Sequence, residues 1–223
     1  MRNRGRSLSA VLGVVVMTGC GNGSGGSSPS QPSRGNTPPS AVAINASPTG
    51  QAITSVTSVT FTGSATDPDG DTLTFNWNFG DGTTAAGQTV SKVFSRDGGF
   101  AVTLTVSDGR GGSASASASV TARSLTGVWT SAAREWNFDI EQSGGALRGR
   151  LMGFKDTTLA NPLPLSGVAR SPRSVEFDVP GPFVVGGIRV PGLGFTGTAA
   201  SDLDSMTGTL DEGRTFGEVL RRR

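Results

Sequence analysis

The stretch Phe75-Asn76-Trp77-Asn78-Phe79-Gly80-Asp81-Gly82-Thr83 decides the fold. Phe75, Trp77 and Phe79 fall on every second position, so an extended chain carries all three rings on one face and Asn76 and Asn78 on the other. Gly80-Asp81-Gly82 then supplies the backbone freedom and the self-capping carboxylate of a tight turn. The same period recurs on both sides, in Val59 and Phe61 upstream and in Phe100, Val102, Leu104 and Val106 downstream, with Thr103 and Thr105 facing the other way. Turn signals separate the runs at Asp67-Pro68-Asp69-Gly70-Asp71 and at Asp108-Gly109-Arg110-Gly111-Gly112. About six or seven short strands within about 80 residues predict two antiparallel sheets packed face to face.

Trp77-Asn78-Phe79-Gly80-Asp81-Gly82-Thr83, followed by Lys92-Val93-Phe94 and by Gly98-Gly99-Phe100 through Ser107-Asp108-Gly109, resembles the PKD domain, an immunoglobulin-like β-sandwich. The resemblance covers residues 41–122. It departs from the family at Asn78, where Asp is usual, at Lys92, often His, and at Phe94 and Phe100, usually Tyr. These exchanges keep the apolar fill and delete hydroxyl hydrogen bonds. The resemblance implies that Trp77 fills the core and that Gly80 and Gly82 stand where a Cβ would clash. Such domains in secreted bacterial proteins serve as spacers or as modules for protein and carbohydrate contact.

Upstream of the sandwich the chain changes character. Arg2, Arg4 and Arg6 precede the apolar run Leu8 to Met17, which closes on Thr18, Gly19 and Cys20. This is the order of a secretory signal, residues 1–19, and the apolar run falls short of the roughly 20 residues a spanning helix needs. Met17-Thr18-Gly19-Cys20 resembles the lipobox of bacterial lipoproteins, with Met17 where Leu is preferred. The resemblance implies that Cys20 is lipidated (a palmitate-type acylation) and becomes the mature N-terminus, while Gly21 in place of Asp favours the outer membrane. An ordinary secretory signal with an incidental cysteine is the alternative. Residues 20–40, rich in Gly, Ser and Pro, predict a disordered tether.

Residues 123–223 predict a second β unit. Alternation places strands near Gly127 to Ser131, Glu135 to Gln142, Ala146 to Gly153, Leu165 to Arg170, Ser174 to Val179, Phe183 to Val190, Gly194 to Ser201, Met206 to Asp211 and Phe216 to Leu220. About eight or nine sequential strands with short connections suggest an antiparallel, up-and-down meander closing into a small barrel. Leu125-Thr126-Gly127-Val128-Trp129 is similar to the Gly-x-Trp start of lipocalin-like and avidin-like barrels, without the later lipocalin motifs. The fold class is therefore all-β: a sandwich followed by a barrel-like domain.

Four groups of residues carry candidate chemistry. Asp67, Asp69 and Asp71, with Asp81 nearby, gather hard oxygen ligands suited to calcium, although the distant bidentate Glu of a calcium loop is missing and DPDGD is also an ordinary turn sequence. Trp129 and Trp136, with Phe138, can line a ligand pocket or stack on a sugar; aromatic core is the plainer reading. Glu135, Asp139 and Glu141 share a strand face and can imitate a glycosidase carboxylate pair, or simply face solvent. Arg221 to Arg223 read as a solvated basic tail.

Composition excludes several classes. Removing Arg2, Arg4 and Arg6 from the 19 basic residues leaves 16 against 17 acidic ones, so the mature chain has no basic surplus for nucleic acid. There is no histidine, and the single cysteine is Cys20, which removes histidine-based triads and the usual zinc sites. No cofactor other than calcium is expected, and the chain reads as a non-enzymatic cell-envelope protein, anchored to the membrane through lipid and presenting its C-terminal domain to a protein or carbohydrate partner. Two further readings stay open: a carrier enclosing an apolar ligand in the barrel, and a structural envelope protein without a ligand.

Overall fold

The computed structural model describes residues 35–133, 135–154, 157–185, 187–212 and 215–223. The expected signal segment, Cys20 and residues 20–34 of the expected tether lie outside them. The described residues are all strand, turn and loop, and none of them forms a helix long and apolar enough to cross a membrane.

Eight strands build the sandwich: Ser40–Ser47 (β1), Ala52–Ile53 (β2), Ser58–Thr66 (β3), Thr74–Asn78 (β4), Thr84–Ala86 (β5), Thr89–Val93 (β6), Gly98–Ser107 (β7) and Ser113–Arg123 (β8). One sheet runs β1-β3-β6, the other β2-β8-β7-β4-β5. The alternation read from the sequence is realised: Phe61, Trp77, Phe79, Phe100, Val102 and Leu104 are buried between the sheets. Phe61 lies 5.8 Å from Trp77 and 5.7 Å from Phe79, while Phe94 stacks on Phe100 at 4.5 Å. Where the family's tyrosine hydroxyls are missing, ring-on-ring packing takes their place. Trp77 satisfies its indole N–H on the carbonyl of Gly87 at 2.8 Å.

The outer faces of the sandwich are covered with small hydroxyls. Strand β8 reads SASASASVTAR, its serines outward and exposed and its alanines inward. Thr103 pairs with Ser117 at 3.3 Å and Thr105 with Ser115 at 3.2 Å. On the opposite sheet Thr60 meets Ser91 at 3.2 Å and Thr62 meets Thr89 at 3.4 Å.

The remaining strands are Gly127–Ser131 (β9), Trp136–Ser143 (β10), Ala146–Phe154 (β11), Thr157–Arg170 (β12), Ser174–Val179 (β13), Phe183–Val185 (β14), Ile188–Val190 (β15), Leu193–Ala199 (β16), Ser205–Asp211 (β17) and Thr215–Arg222 (β18). Eight of them close a barrel in the order β10-β11-β12-β13-β16-β17-β18-β9. The expected strand over Phe183 to Val190 is not a stave: β14 and β15 form a separate hairpin between β13 and β16. Pro180 and Pro191 flank that hairpin, and neither can donate a ladder hydrogen bond.

The barrel is filled. Phe138, Phe177 and Phe195 pack in sequence, with centroids 5.3 Å and 5.2 Å apart. They fit because neighbouring positions are glycine: a Cβ on Gly167, the cross-strand partner of Phe177, would stand 2.5 Å from its Cα, and one on Gly197, two residues along the same strand as Phe195, would stand 2.7 Å from the Phe195 ring. Large rings opposite glycines are how a small barrel reaches interior packing density. A carrier needs an open interior. The stacked rings and the buried aliphatics around them occupy that space, so the apolar-carrier reading loses its cavity.

Candidate functional site

The sandwich and barrel share core. Ile53, at the end of β2, is wholly buried and belongs to the barrel's apolar cluster rather than the sandwich's, with Val56 packed beside it. Thr57, also wholly buried, accepts from the amide of Ile53 at 2.9 Å and donates to the carbonyl of Pro172 at 2.7 Å. Gln142 acts as a clasp: its Oε1 accepts from the amide of Leu125 at 2.7 Å, and its Nε2 donates to the carbonyls of Thr54 and Gly144 at 2.7 and 2.8 Å. Arg123 pairs with Asp204 at 2.7 Å. Nothing in the alternation of Ala52-Ile53 announces this joint, because two apolar residues between turns read as a minor strand of their own domain.

The three acids of the 67–71 turn are brought together, with one carboxylate oxygen of each within 4.8 Å of the others. Asp67 Oδ1 accepts from the amides of Asp69 and Asp71 at 3.0 and 3.1 Å, the self-capping expected of such a turn. Asp69 Oδ2 accepts from the amide of Thr37 at 2.7 Å, and Asp71 Oδ1 lies 3.0 Å from Nε of Arg110. The second oxygens of Asp67 and Asp71 are buried without a partner among the described residues. Three carboxylates with two free oxygens are the kind of donor set a calcium ion takes, and these three residues would hold it. Arg110 already supplies a counter-charge there.

Thr37 belongs to the segment expected as tether. So does Asn36, whose amide donates to Asp108 Oδ2 at 2.7 Å. The tether expected to run to residue 40 therefore gives way to ordered contacts by Asn36, because buried Asp108 needs a donor there. That hydrogen bond is the chief reason the Asp108 carboxyl sits below its ordinary range, helped by the amides of Arg110 and Gly112.

Asp81 stays apart from the acid turn. Its carboxylate lies 2.7 Å from Nζ of Lys92, and both side chains are largely buried. Burial alone would raise the Asp81 pKa, but hydrogen bonds from Lys92 and Thr83 outweigh it and hold the carboxyl at about 2. Lys92 also stands 5.4 Å from the Phe79 ring and 5.8 Å from that of Phe94. The lysine where the family often has His thus ties the Gly80-Asp81-Gly82 turn to β6. Gly80 does stand where a Cβ would clash, 2.7 Å from the carbonyl of Ala101 at φ +73°; Gly82, at φ +91°, has open space and supplies the positive φ alone.

Neither candidate tryptophan is presented to a ligand. Trp129 is wholly buried, with its indole N–H on the carbonyl of Leu125 at 2.9 Å. Trp136 is 3% exposed, bonded to Glu212 at 2.6 Å and packed 4.6 Å from Phe154 and 6.4 Å from Phe183. Both rings are core. The expected solvated tail is in part a stave of the barrel: Arg221 and Arg222 lie in β18, paired to β9, and the half-buried Arg222 guanidinium sits 5.0 Å from the Trp129 ring while donating to the carbonyl of Ser124, whereas Arg221 and Arg223 are exposed.

Asp139 and Glu141 do not converge on a cleft; they face outward on β10, in register with Arg150 and Arg148. Glu135 precedes that strand. A carboxylate that escaped notice in the sequence is Glu218, 4% exposed, which accepts from the amides of Ala133 and Val219 at 3.0 and 2.9 Å. Burial pushes it up, but these amides and the Ser131 hydroxyl prevail and hold it below its ordinary value. Its role is to tie the turn after β9 to β18. An inward Glu between Gly217 and Val219 leaves no signal beyond a polar residue at an apolar register position.

Residues 36–123 match the PKD domain. The match begins at Asn36, the residue that caps Asp108, and ends with β8, so the sandwich and its ordered entry segment are one PKD unit. No curated protein resembles the chain closely enough to count as a relative. Among solved structures, one described as "Structural basis for the promiscuous specificity of the carbohydrate-binding modules from the beta-sandwich super family" is similar at a TM-score of 0.39 and 16% identity, over 84% of this chain and 92% of that one. A likeness that loose carries no argument about ligands.

Proposed function

We propose that the chain is a lipid-anchored, non-enzymatic binding protein of the bacterial cell envelope, in which the PKD domain and the barrel work as one folded body and offer their outer surfaces to a protein or carbohydrate partner. The observation that carries this reading is the shared core at the joint. With Ile53 in the barrel's apolar cluster and phenylalanines packed through its interior, recognition falls to exposed faces. The missing histidine and the outward, arginine-opposed Asp139 and Glu141 support a binding role over catalysis. The anchor rests on the order of Arg2, Arg4 and Arg6, the apolar run and Cys20, and Gly21 favours the outer membrane. Several acyl chains on one terminus give stable attachment, since each buried methylene contributes about 0.8 kcal/mol.

The test is intact mass and membrane fractionation of the native protein beside Cys20→Ser. Wild type is expected in the membrane fraction with an acylated mass beginning at Cys20, and the variant in the soluble fraction. Two soluble species cleaved elsewhere would replace the anchored protein with a freely secreted one.

A further inference from the structure

From Thr74 to Thr121, no outward-facing position of β4, β5, β7 or β8 carries a charge; the first is Arg123, at the barrel joint. Surfaces of soluble domains ordinarily mix in about a quarter to a third of charged residues, so a four-strand face without one calls for a cause. The same chain spends charge freely elsewhere: the barrel's outer face carries Asp139, Glu141, Arg148 and Arg150 on two neighbouring strands.

Near the β5 edge of this face lies a shallow dish of about 450 Å³ with Asn76, Asn78, Thr84, Thr103 and Thr105 around it. The register aligns them in rows: Asn76 stands beside Thr105, and Asn78 between Thr84 and Thr103. The Asn76 amide makes no hydrogen bond to another described residue, and Asn78 uses only its Oδ1, which accepts from the amide of Gly80 at 2.9 Å. The floor therefore offers the Asn76 amide and the Asn78 Nδ2, flanked by the Thr103 and Thr105 hydroxyls, which are each already shared with a serine of β8 and keep the rest of their hydrogen-bonding capacity, at spacings of about 4.8 Å across strands and about 7 Å along them.

We infer that this face of the PKD domain is a binding site for a neutral glycan, with Asn76 at its centre and the Asn78 amide beside it. The inference rests on the binding reading above and names the partner class. Charge complementarity selects the occupant. An acidic polymer or nucleic acid would give up hydration without meeting a single Lys or Arg. A protein partner would want an aromatic or apolar centre, whereas Trp77 beneath the dish is 2% exposed. A neutral polyhydroxyl chain needs neither: an amide donates to one hydroxyl and accepts from its neighbour, and the Thr and Ser hydroxyls do both. Without a ring to stack on the sugar, each site binds weakly, with Kd of about a millimolar, and a polymer gains by contacting several rows.

The test is native electrophoresis of the full chain through gels containing dextran, laminarin or mannan, with alginate as the acidic control, beside Asn76→Ala, Thr105→Ala and, on the opposite sheet, Thr62→Ala. Retardation by at least one neutral polymer is expected, weakened about tenfold by Asn76→Ala, less by Thr105→Ala and not by Thr62→Ala. Equal retardation of wild type and Asn76→Ala would overturn the assignment of this face while leaving a binding protein in place. No retardation by the neutral polymers, or retardation by alginate alone, would overturn the neutral-glycan inference. Self-association abolished by Asn76→Ala would give the face to a second copy of the chain. Failure of the envelope reading is seen separately, in the fractionation of Cys20→Ser.

Discussion

The PKD sandwich and the barrel are both antiparallel, but they divide polar and apolar work in opposite ways. The sandwich places its aromatics on strict alternate positions and faces solvent with uncharged hydroxyls and amides. The barrel packs rings against glycines inside and carries paired charges in register outside. A sheet sandwich can widen until its side chains fit, so its core is written in side-chain identity alone. A closed eight-stranded barrel has a fixed girth, so its core is written equally in the side chains that are missing. The sandwich's outer face, relieved of ion pairing, is free to meet a neutral ligand.

The sharpest break of this comparison is at Ile53, which the sandwich's strand β2 contributes to the barrel's core. Ile53→Ala removes a wholly buried side chain from the barrel's cluster while leaving the sandwich's own core intact. Loss of about 3 kcal/mol is expected, within the usual range for such truncations in a packed core. Because the loss falls at the joint, urea unfolding followed by tryptophan fluorescence should separate into two transitions, with Trp129 and Trp136 reporting the earlier one. A single transition at unchanged midpoint would mean that the joint contributes nothing and the domains are merely adjacent.

How much of this was legible in the sequence follows the same division. Phe75, Trp77 and Phe79 alternate against Asn76 and Asn78 with nothing to obscure the period, and the turn chemistry between runs is explicit, so β3, β4 and β7 could be read directly, while the short edge strands and the small-residue strand β8 carry no such period of large apolar residues. The barrel's staves were legible too, from Gly127 to Ser131 through the strands near Met206. Its filled interior was not, because Gly167 and Gly197 look like breaks in a strand until the rings they make room for are known. For Trp129 and Trp136 the sequence leaves both core and ligand pocket open, with core the plainer reading, and closure of the barrel buries both. The acid turn was visible as a cluster, but its contact with Thr37 joins residues far apart in sequence and has no local signature. The neutral face was in plain view in SASASASV, yet its meaning depends on four strands lying side by side.

A smaller effect is expected at the buried charge pair that the sandwich does keep. Asp81, held at about 2 against an ordinary 3.8, contributes stability that is fully present above pH 3.8 and is lost as pH falls through 2. Lys92→Met removes the leading favourable partner and leaves a carboxylate without its counter-charge, costing about 2 kcal/mol at neutral pH. It also returns the Asp81 titration toward its ordinary value, so the variant's stability should change less than wild type's between about pH 4 and pH 2, with Asp108 and Glu218 still contributing there. Parallel curves for the two proteins, measured by chemical denaturation across that range, would show that Lys92 does not set the Asp81 pKa. In either case the outer hydroxyl face is untouched, which separates the pair's role in stability from binding.

The smallest effect is expected where the sandwich concentrates acid. Three of the six oxygens of Asp67, Asp69 and Asp71 already face backbone amides or Arg110: Asp67 Oδ1, Asp69 Oδ2 and Asp71 Oδ1. A calcium ion seeks about six to eight oxygens, and displacing Arg110 would cost the ion pair it already makes. Millimolar calcium is therefore expected to leave the thermal midpoint within about 1 °C, since an unoccupied site shifts stability only in proportion to RT ln(1 + [L]/Kd). A rise of several degrees that disappears in Asp71→Asn would reverse this reading: the two buried carboxylate oxygens would then be metal ligands, and the contact between Thr37 and Asp69 would become the means by which the ion fixes the start of the PKD domain.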